Sequence, residues 1–220
     1  MSERFYKTGA IQKILEIRRK KRLSFVLSKV HLSPGMSVLD VGCGPNGRSF
    51  SDYVPNDFEI TGVDIIEEKD VHMNHPNFTY IKQDARDLSM FPDKRFDLTV
   101  SFGMMEHVCD QTALKEMSSE IQRVSRQWAI VVPWRYAVVE PHFKFPFFQL
   151  LPYGAQVYLT KNLNLHGLAE VIRKDRDYIK KHYQWFPSSE WRSIFQAQKV
   201  YVVPFLDTIA IVNSPLAIGR

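Results

Sequence analysis

The fold is decided by Val38-Leu39-Asp40-Val41-Gly42-Cys43-Gly44-Pro45-Asn46-Gly47. This stretch predicts a short apolar strand that ends in an acid, followed by a glycine-rich turn and the start of a helix. Because glycine has no Cβ, such a turn brings backbone N–H groups close to a nucleotide-like ligand. The Asp40 carboxylate adds a hydrogen-bond acceptor at the same place. The stretch therefore predicts a nucleotide-type site at the end of the first strand.

Outward from this stretch, apolar strands alternate with helices. Further strands are predicted at 58–64, 78–81, 96–101 and 128–132, and an amphipathic helix at 111–125. Near-continuous apolar strands separated by helices are typical of a parallel sheet covered on both faces. Two strands at 199–203 and 208–212 are separated by a few residues, which predicts an antiparallel hairpin at the sheet edge.

Length and composition indicate one globular domain of 220 residues. No apolar run approaches the ~18 residues of a membrane-spanning helix, and Met1-Ser2-Glu3-Arg4 lacks the apolar core of a signal peptide. The two cysteines, Cys43 and Cys109, are too few for a disulfide framework and lack metal-ligand spacing. We therefore expect a cytoplasmic protein without a metal site.

A basic block, Arg18-Arg19-Lys20-Lys21-Arg22, carries much of the net charge of +5. It lies in a predicted helix at 11–31, within an N-terminal basic segment at 1–35. One interpretation is a solvated helix face. The other is contact with an anionic partner, such as phospholipid head groups at the inner membrane face or a phosphorylated substrate. Nucleic acid is the least favoured partner, because the chain has no recognised nucleic-acid motif.

Four motifs follow one another in a recognisable order. They are Asp40-Val41-Gly42-Cys43-Gly44, then Asp64 after the second strand, Asp84 after the third, and Phe96-Asp97 with Ser101 leading into Glu106-His107-Val108. This pattern resembles the class I S-adenosylmethionine-dependent methyltransferases, most closely the small-molecule branch called type 11. The resemblance covers residues 37–133 and the terminal hairpin. It implies a Rossmann-like three-layer αβα sandwich, whose mostly parallel seven-stranded sheet ends in an antiparallel C-terminal edge hairpin.

The resemblance also implies a role for each site residue. The turn at Gly42, Cys43 and Gly44 lies near the methionine and ribose of S-adenosylmethionine, and Asp40 acts on its ammonium. Asp64 binds the ribose, since a carboxylate accepts from two hydroxyls, and its neighbour Ile65 is a further cofactor-binding residue. The adenine is bound by Asp84 or Ala85. Ser101 and Phe102 end the fourth strand, where Phe102 is either a cation–π partner of the sulfonium or a core aromatic.

Two other functions remain open on these residues. Gly42 to Gly47 also fits the dinucleotide pattern G-x-G-x-x-G, with Asp64 about twenty residues on, as an NAD-dependent oxidoreductase requires. Asp40 argues against it, because a carboxylate before the turn repels pyrophosphate. A protein that binds the cofactor in a regulatory or structural role is the other alternative. Asn46 replaces a glycine common in the family, and asparagine tolerates a left-handed backbone.

The methyl acceptor is not specified by these motifs. His107 and His142 are candidate catalytic bases, and each is also compatible with a structural role. The segment 134–191 is rich in aromatic residues and proline, with a predicted helix at 167–181. It is either a lid for an extended or lipid-like acceptor or a self-packed cap or dimer contact. We therefore expect a small-molecule, lipid or glycan acceptor.

Overall fold

The computed structural model describes residues 9–47, 50–204 and 207–215. A seven-stranded sheet lies at its centre. Its strands are β1 (Ser37–Val41), β2 (Glu59–Asp64), β3 (Phe78–Lys82), β4 (Phe96–Phe102), β5 (Ser125–Pro133), β6 (Lys199–Val202) and β7 (Thr208–Asn213). Their order is β3-β2-β1-β4-β5-β7-β6, and β7 runs antiparallel to both of its neighbours. The predicted mostly parallel sheet with an antiparallel edge hairpin is confirmed.

Six helices surround the sheet in the described part of the chain. They are α1 (Gly9–Leu27), α2 (Gln111–Val124), α3 (Tyr153–Leu163), α4 (Ala169–Lys174), α5 (Tyr178–His182) and α6 (Ser188–Ile194). The single helix predicted at 167–181 is wrong, because α4 and α5 are separate. Asp175 between them is extended, and its Oδ1 accepts from Asp177 N at 3.0 Å. Such a side-chain turn competes with helical hydrogen bonding.

The two faces of the sheet have separate cores. Leu39 of β1 packs with Leu114 of α2 on one face, while Val38 packs with Val26 of α1 on the other. Alternation along the strand produces this division, since successive side chains point to opposite faces. The three-layer αβα sandwich is therefore confirmed, and the carboxyl ends of β1, β2 and β4 share one edge.

Between β5 and α6 the chain forms a third core. The rings of Phe143 and Phe148 stack at 4.0 Å, and Tyr183 packs edge-on against Phe143 at 5.1 Å. Trp191 packs in the core of the sheet instead. We therefore use the name cap for residues 134–187.

No helix in the described ranges is both long and apolar enough to cross a lipid bilayer.

Candidate active site

The glycine-rich turn after β1 has a backbone that favours glycine. Gly42 and Gly44 have φ of +70° and +69°, in the left-handed region where side chains are strained. A Cβ on Gly42 would also overlap the Met104 side chain. Asn46 has no positive φ and instead forms a bridge with His72. The substitution of the family glycine by Asn46 therefore imposes no left-handed strain.

Asp64 holds this turn in place. At the end of β2, its Oδ2 accepts from Gly44 N at 2.9 Å and its Oδ1 from Ile65 N at 2.7 Å. Each carboxylate oxygen keeps a further lone pair for a ligand hydroxyl. Asp64 thus fixes the turn and offers acceptors beside it.

A smaller cavity of about 260 Å³ lies beside Asp64. The predicted ribose and adenine residues line it together: Gly42, Asp64, Ile65, Asp84 and Ala85. The Ile65 side chain is 71% exposed there, which leaves an apolar surface for a flat ring. The Asp84 carboxylate is paired with Arg86, and this hydrogen bond lowers the pKa of Asp84.

A larger cavity of about 500 Å³ adjoins the smaller one, and Gly42 lines both. Of the predicted cofactor residues, Cys43, Gly44 and Phe102 line it. The Phe102 ring is half-buried and stacks on Phe50 at 6.0 Å. The two cavities meet at the turn, so an elongated ligand in the smaller cavity reaches the larger one.

Asp40 and Ser101 line neither of these two cavities. Asp40 is 2% exposed, and its Oδ1 has no hydrogen-bond partner within the ranges that the structure describes. Burial, reinforced by the charge of Asp64, raises the pKa of Asp40 to about 7. The Ser101 hydroxyl is fully buried and likewise has no hydrogen-bond partner among these residues.

His142 lies in a chain of polar side chains beside the larger cavity. Its Nδ1 lies 2.9 Å from Glu140 Oε1, and its Nε2 lies 3.6 Å from Glu106 Oε1. Burial disfavours the charged imidazole, but the hydrogen bond and charge of Glu140 outweigh it and raise the pKa of His142. Burial raises the pKa of Glu106 to about 7.

Glu140 is the buried residue that holds this group of polar side chains together. Its carboxylate accepts from the backbone N–H groups of His142 and Phe143, both at 2.6 Å, and from Trp185 Nε1 at 3.2 Å. An ionised carboxylate only accepts hydrogen bonds, so the Nδ1 of His142 donates to Glu140. In the neutral imidazole, the His142 Nε2 therefore carries the lone pair, on the side of Glu106 and the larger cavity.

His107 joins the same cluster from the turn after β4. Its ring centroid lies 5.1 Å from that of His142, and its Nδ1 lies 2.8 Å from the carbonyl oxygen of His182. Gln184 N also donates to Glu106 O at 2.9 Å. The structure thus brings both predicted histidines together and fastens the cap to the turn that carries His107.

The basic block has a partner inside the chain that neither interpretation included. Arg18 and Arg22 donate to the buried carboxylate of Asp207 at 3.0 and 2.9 Å. Arg19 and Arg22 line the larger cavity. These contacts hold helix α1 against the site. They are made by the basic block, which was predicted to face solvent or an anionic partner.

Two glutamates were missed as functional candidates. In the sequence, Glu106 is part of a motif of the resembling family, and no role was predicted for it. Glu140 lies two residues before His142. A carboxylate next to each candidate histidine was the signal that could have found them, since a carboxylate commonly orients a functional imidazole.

Comparisons with known proteins agree with this geometry. Residues 38–127 match the family model described as "Methyltransferase domain". The cyclopropane-fatty-acyl-phospholipid synthase of Escherichia coli (strain K12) is 36% identical over 98 residues, which are 43% of this chain and 25% of that protein. The ubiquinone/menaquinone biosynthesis C-methyltransferase UbiE of Neisseria meningitidis serogroup C (strain 053442) is 27% identical over 161 residues, 70% of this chain and 66% of that protein. The chain thus spans a quarter of the first relative's length.

A solved structure shows the same fold. It is the Burkholderia thailandensis 1,6-didemethyltoxoflavin-N1-methyltransferase with bound 1,6-didemethyltoxoflavin and S-adenosylhomocysteine. The TM-score is 0.55 at 14% identity, covering 94% of this chain and 82% of that one.

The chain thus has the fold of a solved methyltransferase, and residues 38–127 match a methyltransferase-domain model. These matches favour a methyltransferase over the oxidoreductase alternative. The matching family model describes methyltransferase domains in general, so the finer assignment to the type 11 branch stays a prediction.

Proposed function

We propose that this chain transfers the methyl group of S-adenosylmethionine to a small-molecule, lipid or glycan acceptor, with a lipid favoured. The observation that carries the proposal is the pair of adjoining cavities at the carboxyl ends of β1, β2 and β4, which share Gly42. One cavity has the residues suited to a nucleoside. The other has a histidine held by a buried carboxylate.

The residues around the smaller cavity fit the cofactor. Asp64 offers acceptor lone pairs for the two ribose hydroxyls, and the exposed face of Ile65 suits the adenine ring. Asp40 beside the turn has a buried, unpartnered oxygen, which suits the positive charge of the ammonium. When bound, the cofactor supplies a methyl group on a positively charged sulfur. We place Ser101 among the residues that support the end of β4.

Residues of this chain have three tasks in the larger cavity. Phe102 presents an aromatic surface suited to the sulfonium. Helix α1, fastened through Arg22 and Asp207, covers the cavity and excludes water. His142 is the base we favour for an acceptor hydroxyl, because its Nε2 lone pair faces the cavity and Glu140 stabilises the protonated ring. His107 lines the smaller cavity and is the second candidate.

The cap supports a lipid acceptor. Phe147 N donates to Val138 O at 2.9 Å, and Val139 bridges to Pro146, so residues 138–147 form a hairpin. Val138, Val139 and Phe147 on this hairpin are about half exposed. Pro141 and His142, at its turn, line the larger cavity. Exposed apolar residues beside a cavity mouth are typical of a surface that meets lipid. One relative carries a fatty-acyl-phospholipid in its name.

The proposal is tested by methyl transfer from labelled S-adenosylmethionine into a lysate of the native organism, followed by extraction into lipid, carbohydrate, protein and RNA fractions. We expect label in the lipid fraction with the wild type and none with Asp64→Ala. Cofactor binding without label in any fraction would contradict methyl transfer and favour a regulatory or structural role. Label confined to another fraction would contradict the lipid acceptor.

Membrane contact by the hairpin is tested with phosphatidylglycerol vesicles. Replacing Val138 and Phe147 together by serine is expected to weaken vesicle binding about tenfold or more, since each large apolar side chain contributes about 1.5–3 kcal/mol when buried. A sedimentation assay measures it.

A matched control replaces Leu32 and Met90, which are also exposed and lie in loops before β1 and β4, at the opposite edge of the sheet. The Leu32→Ser/Met90→Ser protein should bind as the wild type does. Equal loss in both double variants, or none in either, would show that the hairpin does not contact lipid.

Cofactor affinity is expected to depend on pH through Asp40. The carboxyl, with its pKa of about 7, is ionised above that pH and neutral below it. An ammonium binds the ionised form, so acidification from pH 8 to pH 6 should weaken S-adenosylhomocysteine binding about tenfold. Calorimetric titration at the two pH values measures this.

Burial also raises the pKa of Glu106 to about 7. The variant Asp40→Asn therefore decides which of the two carboxyls causes the pH dependence of binding. Asp40→Asn should bind weakly at both pH values with little difference between them. A variant that retains the tenfold difference would assign the pH dependence to another group.

A further inference from the structure

Three potential metal ligands converge between the two cavities. One ligand atom from each of Glu106, His107 and His142 lies within 4.8 Å of the other two. Glu106 and His142 line the larger cavity, and His107 lines the smaller one. The spacing of the cysteines in the sequence predicted no metal, and this cluster comes from residues that only the fold brings together.

Both imidazoles are oriented as metal ligands are. The Nδ1 of His142 donates to Glu140, and the Nδ1 of His107 lies 2.8 Å from the carbonyl oxygen of His182, to which it donates. Each ring therefore keeps its Nε2 lone pair for the cluster. Metal-binding histidines commonly donate their other N–H to a carboxylate or a backbone carbonyl, which fixes the tautomer and the ring.

Glu106 supplies a second, independent observation. Its side chain is 2% exposed, and its Oε2 has no hydrogen-bond partner among the described residues. A buried carboxylate oxygen without a partner is costly, so a cation at this place would satisfy it. Arg22 also lines the larger cavity, but its Nη2 is directed to Asp207.

We propose that Glu106, His107 and His142 form a binding site for a divalent transition-metal ion of the Zn²⁺ type. Two imidazoles and one carboxylate suit Zn²⁺, Co²⁺, Mn²⁺ or Fe²⁺, whereas Mg²⁺ and Ca²⁺ favour oxygen ligands alone. Three protein ligands leave at least one coordination position open, and two of the three, Glu106 and His142, line the larger cavity. An oxygen or nitrogen of the methyl acceptor fits that position. A bound ion would make His142 a ligand and would lower the pKa of an acceptor hydroxyl, whose proton would leave to solvent.

The inference deepens the proposed function, but its test does not rely on methyl transfer. Tag-free protein is treated with a chelator, dialysed, and titrated with Zn²⁺ by calorimetry and with Co²⁺ by visible absorption. We expect one ion per chain and cobalt absorption typical of nitrogen ligation. His107→Ala and Glu106→Gln should each weaken binding by about 100-fold or more, because each removes a direct ligand. His107 is exposed, so its replacement leaves the core intact.

His182→Ala is the matched control, since it removes an exposed neighbouring imidazole and keeps the backbone carbonyl that orients His107. It should bind metal as the wild type does. The inference is overturned if the wild type takes up no stoichiometric ion, or if His107→Ala and Glu106→Gln bind as tightly as the wild type. S-adenosylhomocysteine is titrated into the same preparations. Cofactor binding without metal binding would overturn the metal site and leave the proposed function standing. Metal binding without cofactor binding would contradict the proposed function and leave the metal site standing.

Discussion

Replacing Asp64 with alanine is expected to weaken S-adenosylhomocysteine binding by about 100-fold or more. The carboxylate accepts from Gly44 N and Ile65 N, and so fixes both the glycine-rich turn and the start of the next loop. It also lines the smaller cavity. Its removal therefore loses the ribose acceptors and loosens the turn, and hydrogen bonds to a charged group contribute about 1.5–3 kcal/mol each. Isothermal titration calorimetry measures the change.

Asp57→Ala is the matched control for this variant. The Asp57 carboxylate also accepts from a loop N–H, that of Gly35 at 3.2 Å, but it lies before β2, at the opposite edge of the sheet. Asp57→Ala should bind the ligand as the wild type does. Undiminished affinity in Asp64→Ala would refute the ribose assignment.

Trp191→Ala is expected to destabilise the protein by about 3–5 kcal/mol. Trp191 is fully buried in the core of the sheet, where it packs against Phe186 at 5.1 Å between ring centroids. Alanine leaves a large cavity that the packed neighbours cannot fill. The melting temperature should fall by about 10 °C, which differential scanning calorimetry measures.

Trp191→Phe separates packing from hydrogen bonding. The indole N–H of Trp191 has no hydrogen-bond partner in the described part of the chain, so phenylalanine loses volume and no hydrogen bond. We expect a loss of about 1–2 kcal/mol. If Trp191→Ala melted with the wild type, α6 would belong to the cap and not to the core of the sheet.

Local pattern predicted most of the sheet. Strands β1 and β5 contain short apolar runs, and the helix α2 has a regular apolar stripe, so both kinds of element are visible in the sequence. The helix predicted at 167–181 failed because Asp175 redirects the backbone with its own side chain. The period of the apolar residues does not show that a side chain competes with the hydrogen bonds of the helix.

The candidate site likewise has a part that the sequence predicts and a part that it does not. Asp64 ends β2 and Asp84 follows β3 by two residues, so their convergence at one edge follows from a parallel sheet. The cluster of Glu106, His107 and His142 depends on how the cap folds back on the sheet. That path is set by Glu140 and by contacts such as Gln184 to Glu106, made between residues far apart in sequence. No spacing rule connects them.

Helix α1 shows a further limit. A run of basic residues has the same sequence pattern whether it faces solvent, a lipid surface or a buried acid. Asp207, which pairs with Arg18 and Arg22, lies 185 or more positions away. Only the folded chain reveals that contact.

The most direct test of the central claim is calorimetric titration of the full chain with S-adenosylhomocysteine and, separately, with NAD⁺. We expect S-adenosylhomocysteine to bind with one site per chain and NAD⁺ to give no binding heat, because the buried Asp40 carboxylate beside the turn suits an ammonium and repels pyrophosphate. Absence of binding by the sulfur ligand, or equal affinity for NAD⁺, would contradict the account.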